Sequence, residues 1–305
     1  MSALAPSRAS IADPSGERRP GILNAMTVDV EDYFQVQAFA EQIPRATWDQ
    51  IPRRVEANVD RLLQLFADHS VTATFFALGW LAERHPEMMR RIASGGHELA
   101  SHGYDHMRAD RLTPAAFRED IRRSKHIIED IVARSVLGYR APTFSIGSGN
   151  QWAYEILEEE EYLYSSSIYP IRHDLYGDIN APRGPFRPGH GNLWEFPLTT
   201  RRLLGQNVPS AGGGYFRLVP YRLWRQNLRY LNTSDGLPCI FYFHPWEIDA
   251  AQPRVPGISM RTRLRHYLNL NAMPERLTRL VRDFAWARID EAFAVQFTRP
   301  DTKTA

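Results

Sequence analysis

Two histidines four residues apart, His102 and His106, could place their imidazole rings on one divalent metal ion. They lie in the run SHGYDH at 101–106. About seventy residues upstream, the run VDVED at 28–32 supplies Asp29, Glu31 and Asp32, which offer a further ligand and a spare carboxylate to act as a base. Alone, the histidine spacing is equally typical of two polar side chains in a surface turn. The elements around these residues decide between the two readings.

Strand-like runs alternate with helical patterns along most of the chain. The predicted strands cover 23–30, 71–78, 97–101, 136–139, 162–166, 193–198 and 240–243, and the predicted helices cover 54–69, 81–93, 113–134, 151–161 and 220–231. Repeated alternation of this kind predicts an α/β fold with a parallel sheet. Seven strands indicate a distorted or incomplete (β/α)7-type barrel.

Polar residues follow the predicted strands at four separate places, with Asp29, His102, Arg140 and His244 each at or just after a strand end. In parallel α/β barrels the chemistry gathers at the carboxyl ends of the strands. We therefore expect these four side chains to lie near one another, which favours a metal site over a surface turn.

Composition narrows the class of protein. The chain has 305 residues, of which 43% are hydrophobic, enough for one large domain or two small ones. The aromatic share of 11% excludes a disordered chain and fits an aromatic-lined or carbohydrate-handling site. A net charge of +2 gives no overall attraction to nucleic acid or membrane. The single cysteine, Cys239, excludes an intramolecular disulfide and a cysteine-based zinc site.

Three segments are expected along the chain. Residues 1–21 are rich in Ser, Ala, Pro and Arg and are predicted to form a disordered leader without the apolar core of a signal peptide. Residues 22–255 should form the barrel, with an irregular insertion at 169–192. Residues 256–305 are predicted to be an arginine-rich helical extension packed on it, whose arginines are solvated or, alternatively, bind a polyanion. No apolar run reaches the ~20 residues that span a bilayer, and a cytoplasmic location is expected.

These motifs together resemble those of the NodB-homology polysaccharide deacetylases, carbohydrate esterase family four. TVDVED at 27–32 stands where that family has Thr-Phe-Asp-Asp, and 102–106 matches its His-x-x-x-His motif. RAP at 140–142 matches its Arg-x-Pro, and YFHP at 242–245 resembles its last strand with the catalytic histidine. The runs DVEDYF, RAPTFS and HPWE, followed by an arginine-rich extension, are similar to a subgroup linked to exosortase-type exopolysaccharide biosynthesis loci.

The resemblance implies a metal-dependent deacetylase that acts on N-acetylated sugars of a polysaccharide or its precursor. His102, His106 and one acid would hold the metal, with zinc expected and cobalt or nickel as alternatives. Asp29 would be the general base, held ionised and oriented by Arg140, and His244 the general acid. An oligo- or polysaccharide is the implied partner, with no nucleic acid and no transmembrane segment, and the sequence leaves the oligomeric state open.

Two departures from the family pattern bear on the site. The family usually has adjacent acids, whereas here Asp29 is separated from its partner, so either Glu31 or Asp32 could be the third ligand. Glu31 shares a face with Asp29 if the strand continues, whereas Asp32 is reachable if the chain turns. Glu31 is slightly favoured because some relatives of the family use an Asp-x-Asp spacing. The run YSSS at 164–167 lacks an aspartate that relatives often carry, which questions the support of Arg140.

Several side chains near the motifs are candidates for substrate binding or for tuning His244. Pro142, Tyr215 and Trp246 are candidate substrate-binding residues, and either Glu247 or Asp249 could raise the pKa of His244. The glycine-rich run GGGYFR at 212–217 could lie against a sugar ring or simply turn between two elements. Two alternative functions stay open: an allantoinase-like hydrolase of small cyclic amides or ureides, and a degenerate carbohydrate-binding protein without turnover.

Overall fold

The fold is built on a nine-stranded sheet within residues 8–12, 18–174 and 176–298, which are the residues that this computed structural model describes. Its strands are β1 (Arg8–Ala12), β2 (Arg18–Val30), β3 (Thr74–Ala77), β4 (Glu98–Ser101), β5 (Gly138–Tyr139), β6 (Tyr164–Ser165), β7 (Trp194–Glu195), β10 (Ile240–Phe243) and β11 (Ala285–Ala287). A separate antiparallel hairpin consists of β8 (Thr200–Leu203) and β9 (Gln206–Pro209).

The helices pack around this sheet. They are α1 (Val55–Asp68), α2 (Gly79–Arg84), α3 (Pro86–Ser94), α4 (Pro114–Val132), α5 (Trp152–Glu159), α6 (Gly213–Leu218), α7 (Tyr221–Thr233), α8 (Met260–Tyr267), α9 (Met273–Asp283), α10 (Ile289–Ala292) and α11 (Ala294–Thr298). Among the described helices, none is both long and apolar enough to cross a membrane.

The sheet topology is that of an incomplete barrel. Strands β2 to β7 pair in parallel in chain order, and β10 pairs in parallel with the opposite edge of β2, at residues 25–28. Within the described strands β7 and β10 do not pair with each other, so the barrel stays open between them. The predicted fold class is confirmed, and all seven predicted strands are found.

Local sequence explains the helices that lie nearest the sheet. The apolar stripe of α1, which includes Val59, Leu62 and Phe66, is fully buried. At the start of α4, the Thr113 hydroxyl accepts a hydrogen bond from the Ala116 N–H, as an N-cap does. The helix predicted over 81–93 is instead two helices, α2 and α3, because Pro86 lacks an N–H and disfavours a helical residue before it.

The two ends of the chain differ from the expectation. The C-terminal extension is not only a helical cap, because its strand β11 pairs in parallel with β2 at residues 23–25 and joins the central sheet. At the other end, β1 pairs with Arg18–Ile22 as an antiparallel hairpin inside the segment predicted to be disordered. Residues 1–7 and 13–17 of that leader, and 299–305 of the extension, lie outside the described residues.

Candidate active site and metal centre

The carboxyl ends of β2, β4, β5 and β10 bring four sets of polar side chains to one edge of the barrel. Asp29 is the second-last residue of β2 and Glu31 comes directly after that strand, while His102 and Arg140 come directly after β4 and β5. His244 follows β10, which is the parallel neighbour of β2. The parallel register therefore places residues that are more than two hundred positions apart in the chain within contact distance.

Glu31, His102 and His106 form a buried group that could hold one metal ion. One ligand atom from each residue lies within 4.8 Å of the other two. The Glu31 Oε1 atom is 3.2 Å from His102 Nε2 and 3.0 Å from His106 Nε2. His102 Nδ1 is 2.7 Å from the Arg140 carbonyl oxygen, to which it donates, so its Nε2 lone pair faces the group.

The donor set fits a zinc-type ion, because two imidazoles and one carboxylate leave coordination positions for water and substrate. Burial alone would raise the pKa of Glu31. The charges of His106 and His244 and hydrogen bonds from His102 and His106 outweigh it and hold that pKa well below its ordinary value. The carboxylate is thus in its ligating, ionised form.

Asp32, the alternative third ligand, points away from the histidines and anchors the backbone at the start of α1. Its carboxylate accepts hydrogen bonds from the N–H groups of Tyr33, Arg54 and Val55 at 2.8, 2.6 and 3.0 Å. Burial raises its pKa, although these hydrogen bonds act in the opposite direction. Of the two acids that the sequence leaves open, only Glu31 is brought to the histidines.

The segment between the two histidines is a fixed loop rather than a turn of helix. His106 has a left-handed φ of 61°, a conformation uncommon for residues other than glycine. The Tyr104 N–H donates to the half-buried Asp120 carboxylate of α4, and the Ser124 hydroxyl donates to the Gly103 carbonyl. Asp120 and Ser124, which the sequence motifs did not single out, hold the loop that presents His106.

Arg140 fixes Asp29 in a fully buried ion pair. Its Nη1 atom is 2.6 Å from Asp29 Oδ1 and 2.9 Å from Thr27 Oγ1. Its Nε and Nη2 atoms donate to the carbonyl oxygen and the hydroxyl of Ser166, each at 3.0 Å. The guanidinium carbon also lies 4.1 Å from the centre of the Phe76 ring. Ser166 therefore supports Arg140 in the segment that lacks the family's aspartate.

His244 is oriented by Glu247. His244 Nδ1 is 3.0 Å from Glu247 Oε1, and its Nε2 is directed towards the metal-ligand group, 3.8 Å from Glu31 Oε1. Burial lowers the pKa of His244, but Glu31 and Glu247 outweigh it and raise that pKa to about 9. Asp249, the other candidate partner, instead pairs with Arg54.

A buried arginine that the sequence motifs did not identify completes this chain of contacts. Arg217 Nε is 2.8 Å from Glu247 Oε2, and its Nη1 and Nη2 atoms donate to the carbonyl oxygens of His266 and Arg265. The C-terminal extension is thereby tied to the residue that orients His244. A Cβ atom on Gly213 would lie 2.3 Å from the Glu247 carboxylate oxygens, so the glycine-rich run packs against the site and begins α6.

The three candidate substrate-binding residues lie at different depths. Trp246 is only 5% exposed, and its ring stacks between His244 and His266 at centroid distances of 5.1 and 4.0 Å. Trp246 therefore supports the His244 ring by stacking against it. Pro142 is buried in the turn after Arg140, and Tyr215 is half-buried with its ring 6.5 Å from that of Tyr169.

Comparisons with known proteins assign a family to part of the chain. A family model described as Polysaccharide deacetylase matches residues 41–160, and one described as Domain of unknown function (DUF3473) matches 166–294. A chitooligosaccharide deacetylase of Rhizobium leguminosarum bv. trifolii is 34% identical over 167 residues, which are 53% of this chain and 71% of that protein.

Other relatives match over shorter stretches. A peptidoglycan deacetylase of Helicobacter pylori is 29% identical over 113 residues, and a peptidoglycan-N-acetylglucosamine deacetylase of Bacillus cereus is 30% identical over 96. These matches cover 37% and 31% of this chain and span only 38% and 35% of the two relatives.

The fold as a whole is also found among solved structures. A crystal structure of a Mycobacterium smegmatis protein, provisionally assigned to the polysaccharide deacetylases, is 22% identical and covers 99% of both chains with a TM-score of 0.61. This match shows that the two chains share a fold. With the matched family model and the Rhizobium relative, the chain belongs to the polysaccharide deacetylase family.

Proposed function

We propose that this protein is a metal-dependent hydrolase that removes acetyl groups from N-acetylated sugars of a polysaccharide or its precursor. One observation carries the proposal: the Glu31, His102 and His106 group shares one barrel edge with a buried Asp29–Arg140 pair and with His244. Amide hydrolysis needs a polarised carbonyl, a base for the attacking water and an acid for the leaving amine. This edge offers a residue for each need.

The metal ligands and the general base have separate roles, and different residues hold them in place. A zinc-type ion bound to the three ligands would act as a Lewis acid and lower the pKa of a bound water. Asp29 would take the proton of the attacking water, with its carboxylate held in place by Arg140 Nη1 at 2.6 Å. Because Arg140 is completely buried, it holds the Asp29 carboxylate in place before the reaction starts, and no solvent has to reorganise around the pair.

His244 would protonate the leaving amine. The Glu247 carboxylate accepts the hydrogen bond from Nδ1–H, so the second proton of the imidazolium sits on Nε2, the atom directed towards the metal-ligand group. The Glu247 carboxylate also raises the pKa of His244, and this contribution favours the protonated form that a general acid requires, whether or not Glu31 binds a metal. Its side chain is 20% exposed, which leaves room for a substrate to approach.

The relatives support the substrate class. Those named above are called deacetylases of chitooligosaccharides or of peptidoglycan, both of which contain N-acetylglucosamine. We propose the same substrate class for the present chain. We also propose that the reaction belongs to exopolysaccharide biosynthesis, because the DVEDYF, RAPTFS and HPWE motifs are similar to those of the subgroup linked to such loci.

Acetate release tests the proposal. The zinc-loaded protein should release acetate from N-acetylglucosamine oligomers, and the panel should run from the dimer upwards to find the preferred length. Allantoin serves as the competing substrate, since its hydrolysis would assign the protein to the small cyclic amides. Asp29→Asn is the matched control, because it keeps the side-chain volume and removes the base. Bound zinc without acetate release or allantoin cleavage would leave only a carbohydrate-binding role.

A further inference from the structure

The β8–β9 hairpin presents a leucine in an unfavourable position. Leu204 is 96% exposed and has a φ of 48°, and the following Gly205 has a φ of 79°. Two successive positive φ values are typical of the type I′ hairpin turn, in which Asn, Asp and Gly are preferred. A bulky residue is strained in this backbone conformation, and an exposed apolar side chain contributes no burial free energy to folding. Neither folding nor solubility accounts for a leucine at this tip.

The exposed leucine belongs to a larger apolar surface. Arg201 of β8 donates to Asn227 of α7, and its guanidinium lies 4.1 Å from the centre of the Tyr230 ring, so one face of the hairpin turns towards α7. Leu203, two residues along the same strand, and Val208, opposite Arg201, share this face. One helical turn before Asn227, Leu223 extends the same stripe of α7. We call the set the hairpin surface: Leu203 (48% exposed), Leu204, Val208 (38%), Leu223 (56%) and Tyr230 (40%).

The segment that forms this surface carries positive charge and contributes no carboxylate of its own. Residues 196–234, which contain the hairpin and α7, include six arginines and no acidic residue. Two of these arginines pair with acids of other elements. Arg202, Arg222 and Arg229 are exposed, and none of them forms an ion pair with any residue that the structure describes. The net charge of +2 for the whole chain hides this local excess.

We propose that the hairpin surface docks onto an anionic membrane surface. Exposed leucines surrounded by unpaired arginines match the two layers of a bilayer interface, where apolar side chains enter the acyl boundary and guanidinium groups contact lipid phosphates. A carboxylate-lined protein partner would satisfy the arginines but would leave the protruding Leu204 tip in water. The proposal does not depend on the deacetylase activity.

Site-specific fluorescence on the full chain can test this docking. Leu204→Cys would be labelled with an environment-sensitive thiol dye, because Cys239 is buried and burial raises the pKa of its thiol to about 12. We expect a blue shift of the emission with vesicles of phosphatidylcholine and phosphatidylglycerol, reversed by high salt, and none with phosphatidylcholine alone. Leu163→Cys, an exposed leucine outside the hairpin surface, is the control and should not shift.

Vesicle co-sedimentation separates the apolar and charged contributions. Arg202→Gln, Arg222→Gln and Arg229→Gln combined should weaken binding to the anionic vesicles at least tenfold, and so should Leu203→Ser with Leu204→Ser. Both variants should release acetate from soluble oligomers like the parent protein.

The proposal is overturned if the parent protein does not bind anionic vesicles, or if it binds while the dye at position 204 stays in water. A dimer in solution that the serine variant abolishes, without vesicle binding, would assign the surface to a second copy of this chain.

Discussion

Glu31 and Asp32 are adjacent in the chain but have different surroundings, so their amide variants should separate metal binding from folding stability. Glu31→Gln replaces a carboxylate that lies 3.2 and 3.0 Å from two histidine Nε2 atoms. Asp32→Asn replaces one that accepts three backbone hydrogen bonds near the start of α1. We expect the first change to abolish zinc binding and the second to leave it intact.

The size of both effects can be worked out for a thermal melt. Zinc at a hundredfold its Kd stabilises the folded protein by about 2.7 kcal/mol, which raises the Tm by roughly 4 °C for a chain of this size. Changes around a metal ligand weaken binding by about 10–100-fold. Loss of Glu31 itself should therefore cost at least ~100-fold and reduce the zinc shift to about 1 °C.

Asp32→Asn should change the metal-free protein instead. The amide is neutral and keeps one acceptor oxygen, so all three N–H donors lose a charged acceptor and at least one is left facing the NH2 group, at about 1.5–3 kcal/mol. The Tm without metal should fall by roughly 2–5 °C, while the zinc shift stays at the parent value.

Differential scanning fluorimetry after chelation and after zinc addition measures both quantities, and titration calorimetry gives the Kd directly. The opposite pattern, in which Asp32→Asn loses the zinc shift and Glu31→Gln keeps it, would refute the ligand assignment.

Three further predictions concern buried polar groups. Arg217→Met removes the cation beside the buried Glu247 and should cost about 3–5 kcal/mol in urea unfolding. Ser166→Ala removes a hydroxyl acceptor from Arg140, and kcat for acetate release should fall roughly tenfold with little change in KM. Burial raises the pKa of Glu98 to about 7, so the folded protein keeps a proton that the unfolded chain releases. Its stability should fall as pH rises from 4.5 to 7, and Glu98→Gln should gain about 2 kcal/mol relative to the parent between pH 5.5 and 8.

Each of these predictions has a matched control or a contradicting result. Arg225→Met breaks a partly exposed pair with Asp283 and should cost under about 1 kcal/mol, so equal losses at 217 and 225 would contradict the role of burial. An unchanged kcat in Ser166→Ala would contradict a role of the Ser166 hydroxyl in positioning Arg140. A stability difference that does not vary with pH would exclude a raised pKa at Glu98.

Much of the fold could be predicted because its signals are local. Most of the seven predicted strands are short, largely apolar runs, and the alternation with helices defines a parallel sheet. The strand β11 could not be found this way, because it has three residues and is specified by pairing with β2 at the other end of the chain. The β8–β9 hairpin was also missed, since its arginine and leucine pairs do not alternate.

The site was predictable where a motif carries both the residue and its position. Asp29, His102, Arg140 and His244 each lie at or just after the end of a strand, so the topology alone brings them together. The choice between Glu31 and Asp32 depends on how the chain turns after β2, which the strand pattern does not specify.

Contacts between residues that are distant in the sequence could not be predicted, for the same physical reason. Arg217 meets Glu247 across thirty residues, and its position after three glycines gives no sign of that contact. Likewise, the YSSS run did not reveal that Ser166 would meet the guanidinium of Arg140, which comes from a different strand. The cytoplasmic location stays a prediction.

A zinc titration of acetate release tests the central claim most directly. The metal-free protein should release no acetate from N-acetylglucosamine oligomers, and activity should rise until one zinc is bound per chain. Asp29→Asn should bind the same single zinc and release no acetate, because the base is lost while Glu31, His102 and His106 are kept. Acetate release from the chelated protein, or full activity in Asp29→Asn, would contradict the account.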